Sequence, residues 1–479
     1  MLTTMIIVFL IGYLLIALEH PLKINKAGTA LLTGTILWVL YTFGAPQFIP
    51  TASAEEFKLF LDAFPFIKDL PYADQCIRFV IDHQILDSIG EIAETLIFLI
   101  GAMITVELVD SHGGFMFITN RITTNSKRKL LFVIATITFF MSAVLDNLTT
   151  SIVMVMLIRK LIGNYKERWI FGSIIVIAAN SGGAWSPIGD VTTIMLWMRG
   201  NVTTAALMGT LFVPCIVSVI IPTAIAMRYV GNEDAAPVDE SAFEAELPKG
   251  VGPRLSKFIL VTGVLSLLFV PVFKSITHLP PYMGMMVSLG FMWILTEIIY
   301  DRKRSIRNME ESIKCRVSKV LKHIDMPTIL FFLGILMSVA ALQSAGVLTD
   351  VANWLDKQVH EVFTIAGVIG VLSSVMDNVP LVAACMGMYP VMDAAAVAAS
   401  ADPAYMQSFV QDGLFWPLLT YCAGVGGSLL IIGSAAGVVA MGLEKINFAW
   451  YFKKITLLAF VGYLSGILVI LLEHLLIGL

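Results

Sequence analysis

The sequence predicts an all-helical membrane protein: about ten transmembrane helices plus two re-entrant helical hairpins, in two inverted-topology repeats with two broken helices. Three observations carry this. Of the 479 residues, 57% are hydrophobic and only 14% are charged, where a soluble domain carries roughly 25% charged residues. The apolar residues fall into runs of spanning length. Two of those runs are interrupted near their middles by Asp-Asn. With a mean hydropathy of +0.85, the composition excludes a cytosolic enzyme, a disordered scaffold and a secreted disulfide protein.

A spanning helix needs about 20 mostly apolar residues. On that rule the first repeat, 1–230, holds spans at 3–18, 27–44 and 89–109, a hairpin at 131–158, a broken span at 170–198 and a span at 203–229. The stretch 231–257 is polar, acidic at its start and contains proline, and reads as a cytoplasmic linker. The second repeat, 258–479, holds spans at 258–276 and 282–300, a basic cytoplasmic segment at 301–322, a span at 326–345, a hairpin at 362–389, a broken span at 413–440 and a span at 455–478. The first span lacks the basic start and small-residue cleavage site of a signal peptide. A straight helix through either Asp-Asn pair would leave polar groups in hydrocarbon, whereas a hairpin places them at a tip.

Basic residues orient the chain. Lys127, Arg128 and Lys129 precede the first hairpin, and Arg159, Lys160, Lys166 and Arg168 follow it, so that hairpin opens to the cytoplasm. The opposite segments are acidic or neutral: 51–87, read as a loop, carries Glu55, Glu56, Asp62 and Asp69, and 390–412 has no Lys or Arg. Both termini are then outside. The net charge of −4 points to no nucleic acid, and the five cysteines and seven histidines show no metal-ligand spacing.

The two halves resemble each other. IFLIGAMITVELVDSHG at 97–113 matches LFFLGILMSVAALQSAG at 330–346. Ser142 through Asp146-Asn147 matches Ser373 through Asp377-Asn378, offset by 231, and Gly182-Gly183…Gly189 matches Gly426-Gly427…Gly433, offset by 244. Three matches in one order, in halves of opposite orientation, describe the inverted repeats of secondary transporters.

The polar exceptions carry the chemistry. NSGGAWSPIGDVTT, from Asn180 through Asp190 to Thr192 and Thr193, cannot stay a regular helix. Its freed carbonyls and carboxylate suit a small hard cation. The matching break, with Ser428 and Ser434, has no carboxylate. The tips add Asp146, Asn147, Thr149, Thr150 and Ser151 on one side and Asp377, Asn378 and Pro380 on the other. The tips and broken helices should converge. A buried carboxylate holds either a proton or a cation, and that exclusion is the basis of exchange. An Asp at a tip can also simply cap a half-helix; recurrence at matched positions favours the site, while Asn147 and Asn378 read equally as caps and ligands. Gly182, Gly183, Gly426 and Gly427 serve backbone shape. Glu94, one turn inside its span, is a supporting candidate with Ser373, Ser428 and Ser434.

At the Asp-Asn tips plus NSGGAWSPIGD, the sequence resembles the NhaD-type sodium/proton antiporters, relatives of arsenite permeases and divalent-anion/sodium symporters. The resemblance covers nearly the whole chain. It implies exchange of Na⁺ or Li⁺ for H⁺ in a bacterial inner membrane, without a cofactor, by an elevator-like homodimer embedded in lipid. It implies roles for Asp146, Asn147, Asn180, Asp190, Thr192, Thr193, Ser373, Asp377 and Asn378. An arsenite or metalloid exporter is the alternative in the same superfamily, and an ion channel the alternative of another class. The anion symporters carry Ser-Asn-Thr where this chain carries Asp, which disfavours an anionic substrate.

Overall fold

The computed structural model describes residues 1–17, 24–115, 126–231, 252–303, 320–375, 378–400 and 402–477. Most of the polar linker, the centre of the basic segment 301–322 and Asp377 lie outside the described residues. Among those described there is no strand, and eight helices are long and apolar enough to cross a membrane. Several are apolar all round: Leu265 is 60% exposed, Ile294 63% and Leu475 69%. Water would penalise such faces, and lipid does not.

In chain order the helices are α1 (Leu2–Ala17), α2 (Lys26–Ala52), α3 (Ala54–Ala63), α4 (Tyr72–Phe79), α5 (Leu86–Ser111), α6 (Lys127–Leu145), α7 (Asn147–Leu161), α8 (Tyr165–Ala184), α9 (Val191–Met198), α10 (Thr204–Ala226) and α11 (Pro253–Thr277). They continue as α12 (Pro281–Lys303), α13 (Met326–Ser344), α14 (Val347–Gln358), α15 (Val362–Ser373), α16 (Asn378–Met388), α17 (Ala394–Ala399), α18 (Pro403–Met406), α19 (Phe415–Gly426), α20 (Ala435–Glu444), α21 (Phe448–Lys454) and α22 (Thr456–Ile477).

The acidic stretch 51–87 is not a loop. It folds as α3 and α4, with Glu55 and Glu56 in the first turn of α3 and Asp74 in that of α4, where the helix dipole favours them. Phe57, Phe60 and Phe79 are buried against one another with ring centroids 5.3 and 5.4 Å apart. Its charges include the exposed pair Lys68–Asp62 and the i,i+4 pair Arg78–Asp82. Short helices α17 and α18 likewise occupy part of 390–412.

The chain divides into two compact units that cut across the sequence halves. The first comprises Met1–Ile97, Asp325–Glu361 and Val379–Val391. Its centre is the close pair α2–α13, where a Cβ on Gly334 would overlap the α2 backbone at Ala30 and Leu31. That approach lets Trp38 Nε1 donate to the Met337 carbonyl at 3.0 Å. Tyr41 adds a bond to Gln84 at 2.8 Å.

The second unit comprises Phe98–Ile324, Val362–Asn378 and Met392–Leu479. Here equivalent contacts recur at the offsets of the sequence matches. α6 packs on α8 and α15 on α19. Ser142 Oγ donates to the Ala179 carbonyl at 2.6 Å, and Ser373 Oγ to the Ala423 carbonyl at 2.7 Å. A Cβ on Gly182 would overlap the Phe139 carbonyl, and one on Gly426 the Gly370 carbonyl. Only glycine permits both approaches.

Candidate functional site

Four helix interruptions build the site, and each has a local cause. α6 stops at Leu145 and α7 starts at Asn147, with Asp146 between them at φ 82 and ψ 158. That backbone region belongs almost solely to glycine and costs an L-residue about 1–3 kcal/mol. The Asp146 carboxylate accepts from the Thr149 N–H at 2.7 Å and from its hydroxyl at 2.9 Å, which caps α7. α8 ends at Ala184, before Pro187, and α9 begins after Asp190, whose Oδ1 accepts from the Thr192 N–H at 3.1 Å. α19 ends at Gly426, and Ser434 caps α20 by accepting from the Gly437 N–H at 3.2 Å. α16 begins at Asn378, just past residues outside the description.

Side chains from all four interruptions meet in one buried network. Asn147 Nδ2 donates to Asp190 Oδ2 at 2.9 Å and to Asn180 Oδ1 at 3.2 Å. Asn378 Nδ2 donates to the same Asp190 oxygen at 3.3 Å. Asn180 Nδ2 donates to Ser428 Oγ at 2.9 Å and to Ser434 Oγ at 2.8 Å. Asn180 is fully buried and Asp190 is 2% exposed. Taking a carboxylate out of water is costly unless donors replace the water, and Asp190 accepts from the N–H groups of Thr192, Asn147 and Asn378.

Of the residues singled out from the sequence, Asn147, Asn180, Asp190, Asn378, Ser428 and Ser434 therefore come together. Thr193 Oγ1 donates to the Gly183 carbonyl at 3.5 Å, inside the break. The hydroxyls of Thr192, Thr150 and Ser151 are buried without a hydrogen-bond partner among the described residues, three oxygens close in sequence to the network's own members. Asp146 and Thr149 bond to each other, and Ser373 holds α15 to α19. Glu94 is half-buried on α5 in the first unit. Gly183 and Gly427 face the carbonyls of Gly189 and Gly433, which fits a shaping role.

Sequence reasoning missed the fasteners of the first break. Ser186 Oγ donates to the Ala143 carbonyl at 2.5 Å, and Ser218 Oγ to Ser181 Oγ at 2.9 Å. Ser181 and Ser186 lie within the motif itself; for Ser218, on α10, no local signal marks the contact.

A hydrogen-bonded carboxylate buried among interrupted helices, in a chain of many apolar spans, defines a membrane transporter. The comparisons agree. A family model described as citrate transporter, CitMHS, matches residues 6–410. Sodium/proton antiporter 1 of Arabidopsis thaliana is 43% identical over 98% of this chain and 72% of its own length. Sodium/proton antiporter 2 of the same plant is 39% identical over 98% of this chain and 99% of its own. The Na⁺/H⁺ antiporter NhaD of Vibrio cholerae is 29% identical over 98% of this chain and 91% of its own. The chain belongs to the CitMHS transporter family and, within it, to the NhaD-type sodium/proton antiporters; it is a transporter and not an enzyme.

Proposed function

We propose that the chain exchanges Na⁺, or Li⁺, for H⁺ by alternating access, in support of sodium and alkaline-pH homeostasis. The observation that carries this reading is the Asp190 network: a buried carboxylate at the start of a half-helix, surrounded by amides and hydroxyls from three other interruptions. The amide N–H groups of Asn147 and Asn378 donate to the carboxylate. Turning either amide presents its oxygen instead, and with Asp190, Asn180 and the hydroxyls of Thr192, Ser428 and Ser434 this makes an oxygen set for a hard cation. A proton on the carboxylate removes the charge that holds the cation, so the two cargoes exclude each other. Asp146 and Asp377, at matched positions of the two tips, are the expected cation and proton carriers, with Asp190 a third carboxylate at the site.

Inverted repeats with re-entrant tips are supported by the paired contacts Ser142–Ala179 and Ser373–Ala423. Two compact units suit a scaffold and a mobile transport body, hence an elevator-like motion. On this reading the protein is a homodimer in lipid, needs no cofactor, and keeps both termini outside a bacterial inner membrane. A carboxylate at the centre of the site opposes citrate or another anion, despite the family's description. The test is proton movement in proteoliposomes from neutral to alkaline pH, after pulses of Na⁺, Li⁺, K⁺, citrate or arsenite. Na⁺ or Li⁺ should drive protons out of register with the other solutes. Silence with both alkali ions, or a response to arsenite or citrate alone, sinks the reading.

A further inference from the structure

Three helices of the second unit have one end in the Asp190 network and the other at an ion cluster around the buried Glu444 carboxylate that the exchange reading leaves unused. α7 begins at Asn147 and carries Arg159 near its end; α8 carries Arg168 in its first turn and Asn180 near its last; α20 is capped by Ser434 and ends at Glu444. The three helices pack against one another. At the far end Arg159 Nε donates to Glu444 Oε1 at 2.6 Å and Arg168 Nε to Glu444 Oε2 at 2.7 Å. The Glu444 side chain is 1% exposed.

The fastening extends to the backbone. Arg159 donates to the Leu443 carbonyl, and Trp169 Nε1 donates to the Glu444 carbonyl at 3.0 Å. Arg168 donates to the Ile162 and Gly163 carbonyls at 3.0 and 2.9 Å. These carbonyls lie at the C-terminal ends of α20 and α7, where helices leave acceptors unmatched and favour cations. A buried carboxylate gripped on one oxygen by each of two planar guanidinium groups is held in place from both sides. At 1.5 Å per residue, the cluster stands about 15–18 Å along each axis from Asn147, Asn180 and Ser434. A stiff helix passes an axial slip at one end to the other.

We propose that Arg159, Glu444 and Arg168 are positioning residues: a clasp that sets the register of α7, α8 and α20, and through it the cation affinity and selectivity of the Asp190 network. The inference rests on the exchange reading. It predicts that releasing the clasp moves ion recognition and not only stability.

The test compares wild type, E444Q and E444D in proteoliposomes, reading the Na⁺ and Li⁺ half-saturation of proton movement and the maximal rate per folded protein. E444Q should raise the Na⁺ half-saturation about tenfold, the low end of what losing an outer support costs a metal site. It should also change the Na⁺/Li⁺ ratio, keep the maximal rate within about twofold, and be rescued by E444D, which keeps the charge. If E444Q does not fold, R159Q leaves Arg168 on Glu444 and gives the same readout. Half-saturation and ion ratio that stay at the wild-type values overturn the clasp, even if folded yield falls. Wild type without Na⁺-driven proton movement overturns the exchange reading itself, and the clasp's role with it.

Discussion

The two broken helices of the second unit are built alike and charged differently. In both, a glycine pair ends the first half-helix against a neighbouring backbone, and a polar side chain caps the second. A turn closes each break in the same place, Gly189 N–H to the Ser186 carbonyl at 3.3 Å and Gly433 N–H to the Leu430 carbonyl at 3.1 Å. The caps stand at the same offset of 244, but one is Asp190 and the other Ser434. Asn180 joins them: its amide N–H groups reach both serines of the second break, and its oxygen accepts from Asn147, which also holds Asp190. The frame is thus symmetric and the charge is not. On the proposed exchange reading, the symmetric frame supplies the shape for alternating access, and the one carboxylate is where a cation and a proton compete.

The hardest break of that asymmetry is D190S, which gives the first half-helix the cap of the second. Serine caps as well as aspartate, so α9 should stand, while the buried amides of Asn147 and Asn378 lose their acceptor at a cost of about 1–3 kcal/mol and the thermal midpoint should fall modestly. Exchange should fall by more than about a hundredfold, since even an outer-shell loss costs a metal site up to that. Na⁺-driven flux near wild type in D190S would show that the carboxylate is structural. Next in size is N180A, which unties the two breaks from each other. Its Na⁺ half-saturation should rise about tenfold, with Asp190 still held by Asn147 and Asn378; an unchanged value would remove Asn180 from recognition.

The frame itself is tested by G182A and G426A. Each added methyl meets a backbone carbonyl, and overpacking of this kind costs about 1–3 kcal/mol or more. The two losses, read from unfolding midpoints in detergent, should be alike; a large gap between them would mean that the repeat is not carried by these contacts. Smallest is S434A, which removes a cap worth about 1 kcal/mol and one hydroxyl of the oxygen set, and should raise the Na⁺ half-saturation less than N180A does. A loss as large as that of D190S would make the second break an equal partner in the chemistry.

Much of this was readable from residues alone, because polar groups in apolar runs have few uses. The Asp-Asn tip before α7, both glycine breaks and the convergence of Asn147, Asn180, Asp190, Asn378, Ser428 and Ser434 follow from where polarity interrupts a span. The weighting within the site was less legible. The sequence points to Asp146 and Asp377 as the carriers and to Asp190 as a third carboxylate; the structure has Asp146 accept from Thr149 on its own helix, while Asp190 both caps α9 and accepts from Asn147 and Asn378. Helices α3 and α4 hid behind their acidic composition, their buried aromatic face being formed only by folding. Arg159 and Arg168 read as markers of the cytoplasmic side; their partner Glu444 is far away in the chain and has no local signature.

The most direct test of the central claim is the count of protons released when Na⁺ is added to the purified protein in weakly buffered detergent solution, wild type beside D190N. Asparagine keeps the cap and hydrogen-bonding size of Asp190 but cannot hold a proton against a cation. Wild type should release protons on Na⁺ addition and D190N should release distinctly fewer. Equal release from the two proteins would contradict competition at Asp190.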